Sequence, residues 1–386
     1  MKVIFFANRM PDLCGAFLHD IDLATELQKR GHQIVFLTIK VPPEGFNGGH
    51  YRGFRYMNYS AAASFLETSE IWICPHAPIL PEVRKINSRG YNRPIIATCH
   101  YDGSYTMIVK NGGTGWKEML MFVNSIMENN YRKNIAPWPS QIVKTEVVRP
   151  IMHRDKIVIQ EPFQGDCITL INANQNKGVT VFADIARLMP NRKFLAVIPY
   201  YGDMRLPPIP SNVEWVKFDD DIRNVLKRTR VLLVPSYYES FCRVAVEAMI
   251  NGIPVIYSKP NKNSPYSGGS TEGIQSWIGD AAWMSDRDRP EEWVELIQSL
   301  DDEETYQERA QISKDHIESM NLFSEAPRIA NVVEQFAHEN PVSIKVTSSP
   351  EKKPATNPQP GSLTGMNQST ARAGFGFSNG RLRIQR

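Results

Sequence analysis

Two glutamates eight positions apart, Glu239 and Glu247, lie in the run VLLVPSYYESFCRVAVEAMINGIPVIYS at residues 231–258, which limits the folds open to this chain more than any other stretch. Val231 to Val234 form a short apolar segment that ends in Pro235-Ser236. A buried strand followed by a loop is the expected reading. Val244 to Ile250 carry helical spacing, and Gly252 with Pro254 closes that helix. Ile253, Val255 and Ile256 open the next strand. Glu239 therefore falls in the loop where strand gives way to helix, and Glu247 falls inside the helix. In an open α/β sheet, ligands bind at that end of the strands. The start of a helix offers free N–H groups and partial positive charge, which suit a phosphate. Carboxylates on either side can accept hydrogen bonds from sugar hydroxyls. The layout points to a nucleotide-sugar site.

The segment resembles the Glu-x7-Glu signature of the retaining GT-B glycosyltransferases, the large group-1 (family-four) set. The likeness takes in the strand, Pro235-Ser236, Phe241, Glu247-Ala248-Met249 and the Gly-x-Pro-Val-Ile of residues 252–256. A bare pair of glutamates at this spacing also occurs on solvated helix faces; the flanking pattern separates the two readings. The resemblance covers roughly residues 1–338, strongly in the second half and diffusely in the first. It implies two Rossmann-like, doubly wound α/β domains facing a cleft: an acceptor-binding domain at 1–160, a nucleotide-sugar donor domain at 161–325 and a terminal helix at 326–340 that crosses back.

The pattern along the chain fits such a fold. Val3 to Phe6 reads as a buried strand, followed by a loop through Pro11 and Gly15. Phe17, Leu18, Ile21, Ala24 and Leu27 then recur at helical spacing, and Ile34 to Leu37 is the next strand. The loop lacks G-x-G-x-x-G, so the dinucleotide fingerprint is absent. Ile71 to Cys74, Ile95 to Cys99 and Ile157 to Ile159 read as further strands. Residues 112–133 open on Gly112-Gly113-Thr114-Gly115 and read as a helix carrying Trp116, Met119, Leu120, Phe122, Val123, Ile126 and Met127. That stripe is core, or a membrane-docking face, although no basic cluster accompanies it. Residues 160–166 read as a linker. Beyond it come strands at 168–171, 194–198, 213–216 and 231–234, with helices near 179–188, 221–227, 290–300, 302–319 and 325–338. Strand–helix alternation in both halves indicates two parallel sheets.

The 386 residues suffice for two full cores, and 42% apolar content with a mean hydropathy of −0.35 fits a soluble chain. No apolar run approaches the roughly 20 residues of a membrane helix. Five scattered cysteines without Cys-x-x-Cys indicate neither a disulfide framework nor a zinc site, and a cytoplasmic setting is expected. After Asn340, seven lysines and arginines stand against Glu351, so the tail carries +6 and the preceding residues −3. Residues 341–386 are rich in Pro, Ser, Thr, Asn, Gln and Gly and read as a disordered basic tail.

By resemblance, the catalytic residues are His100, Glu239 and Lys177. The donor-binding set is Gly15, Lys177, Gly178, Glu239, Ser240, Phe241, Cys242, Arg243, Glu247 and Gly269. Lys177 would bind the leaving diphosphate, whose growing charge needs donors aimed at it. Many relatives place an arginine shortly before that lysine. Here the loop holds only asparagines and glutamine, and Arg243 is placed to replace it. Glu247 would accept from ribose hydroxyls and Glu239 from the transferred sugar. The N–H groups of Ser240, Phe241 and Cys242 would face sugar and diphosphate. Relatives commonly have glycine at Cys242, which reads as a small filler and not a nucleophile. Gly268-Gly269 resembles a loop flanking the donor, and the resemblance places His100 against the donor sugar, with Asp102 orienting His100 or the acceptor; His76, after strand Ile71–Cys74, is a second histidine. Asp219-Asp220-Asp221 reads as a helix start, so no metal is implied.

The function implied is transfer of a sugar, with retention, from a nucleoside diphosphate sugar to a hydroxyl of a glycan, lipid or small molecule. The co-substrate is a UDP- or GDP-sugar, and no further cofactor is required. Two alternatives stand beside it. One is glycosylation of nucleic-acid bases, motivated by Phe375 and Phe377 ahead of Arg381, Arg383 and Arg386. The other is a catalytically silent GT-B module that binds sugar nucleotides.

Overall fold

A computed structural model describes residues 1–10, 14–40, 48–74, 77–101, 105–110, 115–135, 137–199, 206–261, 271–342, 375–378 and 381–384. Two sheets dominate it. The first contains β1 (Lys2–Ala7), β2 (Gln33–Thr38), β3 (Gly49–Tyr51), β4 (Phe54–Asn58), β5 (Ile71–Cys74), β6 (Ile95–Cys99), β7 (Glu118–Phe122) and β8 (Ile142–Val147). Their order is β3-β4-β2-β1-β5-β6-β7-β8, parallel throughout except for the β3–β4 edge pair. The second contains β9 (Cys167–Leu170), β10 (Lys193–Val197), β11 (Val213–Val216), β12 (Thr229–Val234), β13 (Val255–Ser258) and β14 (Trp283–Ser285). Its order is β11-β10-β9-β12-β13-β14, with every pair parallel. Each sheet is packed by helices, which makes two α/β domains. In both, the chain reverses its direction of winding beside the first strand, the place where parallel sheets open a crevice.

Residues 112–133 are not one helix. Glu118–Phe122 is a strand one in from the edge of the sheet, and the helix is Ser125–Ile135. The reason is burial: all five residues of β7 are buried between its neighbours β6 and β8. A strand covered on both faces loses its alternation and reads like a buried helix. The apolar stripe is thus core. Ile157–Ile159 is not a strand either. Helix Arg154–Ile157 ends there, and the N–H of Ile159 is taken by Asn251 Oδ1 at 2.8 Å, so no ladder forms. β8 is the last strand of the first sheet.

Helix Glu325–Glu339 returns to the first domain and packs on helix Gly15–Lys29. Ile329, Val333 and Phe336 are buried in the same core as Phe17, Ile21 and Leu27. Each such side chain contributes about 1.5–3 kcal/mol by leaving water. At the rim, Glu334 pairs with Arg30 at 2.9 Å and lies 2.7 Å from His32. Among the described residues, no helix is long and apolar enough to cross a membrane.

Lys345–Arg386 is a separate unit. Within it, β15 (Phe375–Ser378) and β16 (Arg381–Ile384) pair antiparallel. Four paired positions close the ladder.

A fully buried ion pair holds the segment that follows β6. Arg84 Nε donates to Glu118 Oε1 at 2.9 Å, and Arg84 Nη1 donates to the carbonyls of Ile108 and Lys110 at 2.6 and 2.8 Å. Both side chains have 0% exposure. Breaking such a pair leaves an uncompensated charge in the interior. Glu118→Ala is therefore expected to cost about 3–5 kcal/mol, measured by urea denaturation, whereas breaking the exposed Arg154–Glu318 pair with Glu318→Ala should cost under about 1 kcal/mol.

Candidate active site

The glutamate motif sits at the carboxyl end of β12. Glu239 is buried, and its Oε1 accepts from Lys177 Nζ at 2.6 Å and from Ser236 Oγ at 2.7 Å. Lys177 reaches it because Gly178 brings the loop after β9 against the end of β12. Gly178 adopts φ +83°, and a Cβ there would lie 2.0 Å from the Pro235 carbonyl oxygen. Only glycine meets both conditions. Tyr237 N–H donates to Asn176 O at 3.0 Å and ties the two loops further.

Cys242 precedes helix Arg243–Met249 with φ +68°. That left-handed backbone is one that glycine adopts at least cost, so cysteine holds the position under backbone strain. Burial, and next the Glu239 carboxylate, push the Cys242 thiol well above its usual range. A thiol so held is a poor nucleophile, in line with its reading as a filler. Ser240 offers its carbonyl to Asn124 Nδ2 of the first domain at 2.6 Å. Phe241 stacks on Trp277, with ring centroids 5.1 Å apart, and Trp277 Nε1 donates to Phe241 O at 2.7 Å.

Glu247 is buried, and burial raises its pKa; the Arg243 charge opposes the rise and the Asp22 carboxylate adds to it. Arg243 Nε lies 3.9 Å from Glu247 Oε1. The same guanidinium crosses to the first domain. Its Nη1 donates to Ile151 O at 2.7 Å, and its Nη2 lies 3.4 Å from Asp22 Oδ2. Gly15 stands beside it: a Cβ at Gly15 would meet Arg243 Cδ at 3.6 Å, an ordinary contact. Lys156 Nζ, at 3.1 Å, and His153 Nε2, at 3.4 Å, also face Asp22.

His100 follows β6 and is half-buried. Its ring meets that of His19 edge to face, with centroids 5.4 Å apart. Tyr101 packs against Tyr238 of the motif loop, with centroids 5.0 Å apart. Gly269, His76, Asp102 and Gly112 to Thr114 lie outside the described residues. The three aspartates at 219–221 precede helix Arg223–Leu226 without entering its first turn: Asp219 accepts the N–H of Asp221, Asp221 accepts that of Arg223, and Asp220 pairs with Arg52 at 3.0 Å.

Sequence reasoning missed several residues. Arg287 is buried, donates from Nε to Pro235 O at 3.1 Å, and lies 3.3 Å from the centre of the Tyr237 ring. It adds a third cation beside Lys177 and Arg243, and no local pattern marks it. Gly273 is another: a Cβ there would come within 2.3 Å of Ser240 O and 2.5 Å of Glu239 O. The only signal was a glycine shortly after Gly268-Gly269. Asp22 and His19 were hidden among the several polar residues of an amphipathic helix, Gly15–Lys29.

Residues 208–317 match the family model described as glycosyl transferases group 1. Over 123 residues the chain is 28% identical to the D-inositol 3-phosphate glycosyltransferase of Corynebacterium kroppenstedtii, a match covering 32% of this chain and a quarter (25%) of that protein. Sucrose-phosphate synthase from Thermosynechococcus elongatus superposes with a TM-score of 0.66 at 15% identity, covering 88% of this chain and 99% of that one. A trehalose-6-phosphate structure from E. coli, bound with UDP-2-fluoro glucose, superposes with a TM-score of 0.58 at 10% identity, covering 87% and 99%. The fold is thus GT-B, two α/β domains with parallel sheets.

Asp22 supplies a test of the junction. Burial alone would raise its pKa, but His153, Arg243 and Lys156 outweigh burial and hold the carboxyl at about 2. A carboxyl depressed on folding stabilises above its unfolded pKa, near 3.9, and loses that contribution as pH falls through the folded value. Asp22→Asn should therefore cost about 2 kcal/mol near pH 6. Urea denaturation followed from pH 5 towards pH 2 should show the gap to wild type closing.

Proposed function

We propose that the chain is a retaining glycosyltransferase that moves a sugar from a nucleoside diphosphate sugar to an acceptor hydroxyl. The observation that carries the reading is the cluster at the end of β12: Glu239 and Glu247 buried eight positions apart, with Lys177 on the first and Arg243 beside the second. Buried ion pairs cost desolvation, and carboxylates and cations gathered at the end of a sheet strand are candidates for a functional site. The group-1 match over 208–317 includes both glutamates, and the superposed E. coli structure carries a UDP-sugar analogue.

In this reading Lys177 turns from Glu239 to the diphosphate and neutralises charge that grows as the bond to the anomeric carbon breaks. Arg243 is the second cation there. Glu239, released, accepts from hydroxyls of the transferred sugar, and Glu247 accepts from the ribose. The acceptor oxygen bonds to the anomeric carbon on the face the phosphate leaves, and the acceptor proton passes to the leaving phosphate oxygen. No protein nucleophile takes part, unlike retaining glycosidases, whose two carboxyl groups stand about 5 Å apart. His100, at the end of β6, binds the donor sugar. Holding both substrates across the cleft supplies much of the rate. UDP- or GDP-sugars are the donors, and the acceptor is a glycan, lipid or small molecule bound by the first domain.

Thermal unfolding against UDP, GDP, ADP and their sugar conjugates tests the reading. A nucleotide at 100 times its Kd stabilises by about 2.7 kcal/mol. One nucleotide should shift the wild type and fail to shift Glu247→Ala. Because burial raises the Glu247 pKa, its carboxylate is lost at a higher pH than an ordinary glutamate's. Donor affinity, read by calorimetry, should weaken on acidification before the usual glutamate range is reached. If no nucleotide shifts the wild type, the proposal is overturned; a nucleotide that binds but is never transferred or hydrolysed would favour a silent module.

A further inference from the structure

We propose that His19 and Asp20 form a buried relay behind His100 that holds the His100 imidazole in one tautomer and one orientation, with Asp20 as a positioning residue. The proposal rests on the reading of His100 as a residue of the active site. His19 and Asp20 are consecutive in helix Gly15–Lys29, and both have 0% exposure. One side-chain nitrogen or oxygen from each of His19, Asp20 and His100 lies within 4.8 Å of the other two.

The proton on His19 is placed by the backbone. The N–H of Ile151 donates to His19 Nδ1 at 3.0 Å, so that nitrogen carries a lone pair. Burial, then the Arg243 charge, lowers the His19 pKa to about 3, with Asp22 opposing, so the ring is neutral. A neutral imidazole has one N–H, and here it must be on Nε2. That nitrogen is buried without a hydrogen-bond partner. It is a donor waiting for an acceptor. The same placement speaks against a metal centre built from these three groups, because Nε2 would have to give up its proton to become a ligand.

Asp20 is the other half. Both its carboxyl oxygens are buried without a hydrogen-bond partner. Burial, and then the neighbouring Asp22 carboxylate, raise its pKa well above the usual range, so the group is a neutral acid with one O–H to give. An unmade buried hydrogen bond costs about 1–3 kcal/mol. Two in adjacent residues, at positions an apolar helix face would fill with leucine or valine, are a burden the fold alone does not require. One polar atom of each of the three side chains lies within 4.8 Å of the other two, so small rotations would let His19 Nε2–H donate to one Asp20 oxygen and the Asp20 O–H donate to the inner nitrogen of His100. Catalytic hydrogen bonds are often long before substrate binds and tighten afterwards. The inner nitrogen of His100 would then accept from the relay. Its proton would sit on the outer nitrogen, where it can donate to an oxygen of the bound sugar.

The test uses the full chain with nitrogen-15-labelled histidine. In the wild type, His100 should show a single tautomer by NMR. Asp20→Leu should turn it into a mixture and lower kcat about tenfold, the scale seen when an orienting partner is lost, while KM for the donor stays unchanged. Asp20→Asn, which keeps a donor, should restore both. If Asp20→Leu does not fold, His19→Phe removes the donor that orients Asp20 and should give the same mixture. The relay is overturned if His100 keeps its tautomer in a folded Asp20→Leu or His19→Phe variant. It is also overturned if the purified chain binds zinc one to one and Asp20→Leu abolishes that binding. The NMR result stands whether or not any donor is turned over, so failure of the relay and failure of the transferase reading are distinguishable.

Discussion

The guanidinium of Arg243 is the interaction on which the arrangement of the site depends. It belongs to the helix that carries Glu247, yet its two terminal nitrogens face Ile151 O and Asp22 of the first domain's side. One planar group with five donors can meet a carbonyl and a carboxylate at once, which a lysine in its place would not do. Asp22 in turn gathers Lys156 and His153. The half-buried ring of charges sets the second domain's motif helix against helix Gly15–Lys29. His19 and Asp20 precede Asp22 in that helix, so the same contact places the polar cluster behind His100.

The second constraint is steric. Gly178 and Gly273 both lie where an added Cβ would strike backbone oxygens of the loop 235–240. Each lets a neighbouring segment approach the motif loop to within backbone contact. Lys177 reaches Glu239 through the first approach, and Trp277 stacks under Phe241 beside the second. The loop is therefore held by packing on both sides, which fixes the backbone that carries Glu239.

Much of this was legible along the chain because it is local. Strand, loop, helix and strand around Glu239 and Glu247 follow one another within residues 231–258, and the pattern of apolar residues with Pro235, Gly252 and Pro254 marks each boundary. Lys177-Gly178 is legible for the same reason, since it stands between a strand and a helix. Failures came where burial removed the periodicity. β7 is covered on both faces, and its run of Met119 to Phe122 carries neither a period of two nor one of 3.6. Ile157 to Ile159 failed for a different reason: three apolar residues look like a strand, but Ile157 ends a helix and the Ile159 N–H is taken by the Asn251 side chain.

The order of apolar and polar residues by itself determined two alternating α/β halves and the place of the glutamate motif at the carboxyl end of a strand, because periodicity, turn residues and helix ends are set by neighbours in the chain. Which side chains meet at the site was decided only in three dimensions. Arg243 and Asp22 are 221 positions apart, Ser240 and Asn124 116 positions, and Lys177 and Glu239 62. Nothing in a linear pattern couples residues at such distances. The crossover order of the two sheets, and the return of helix Glu325–Glu339 to the first domain, bring them within reach, and the cost of leaving a charge buried and unpaired then selects which of them pair.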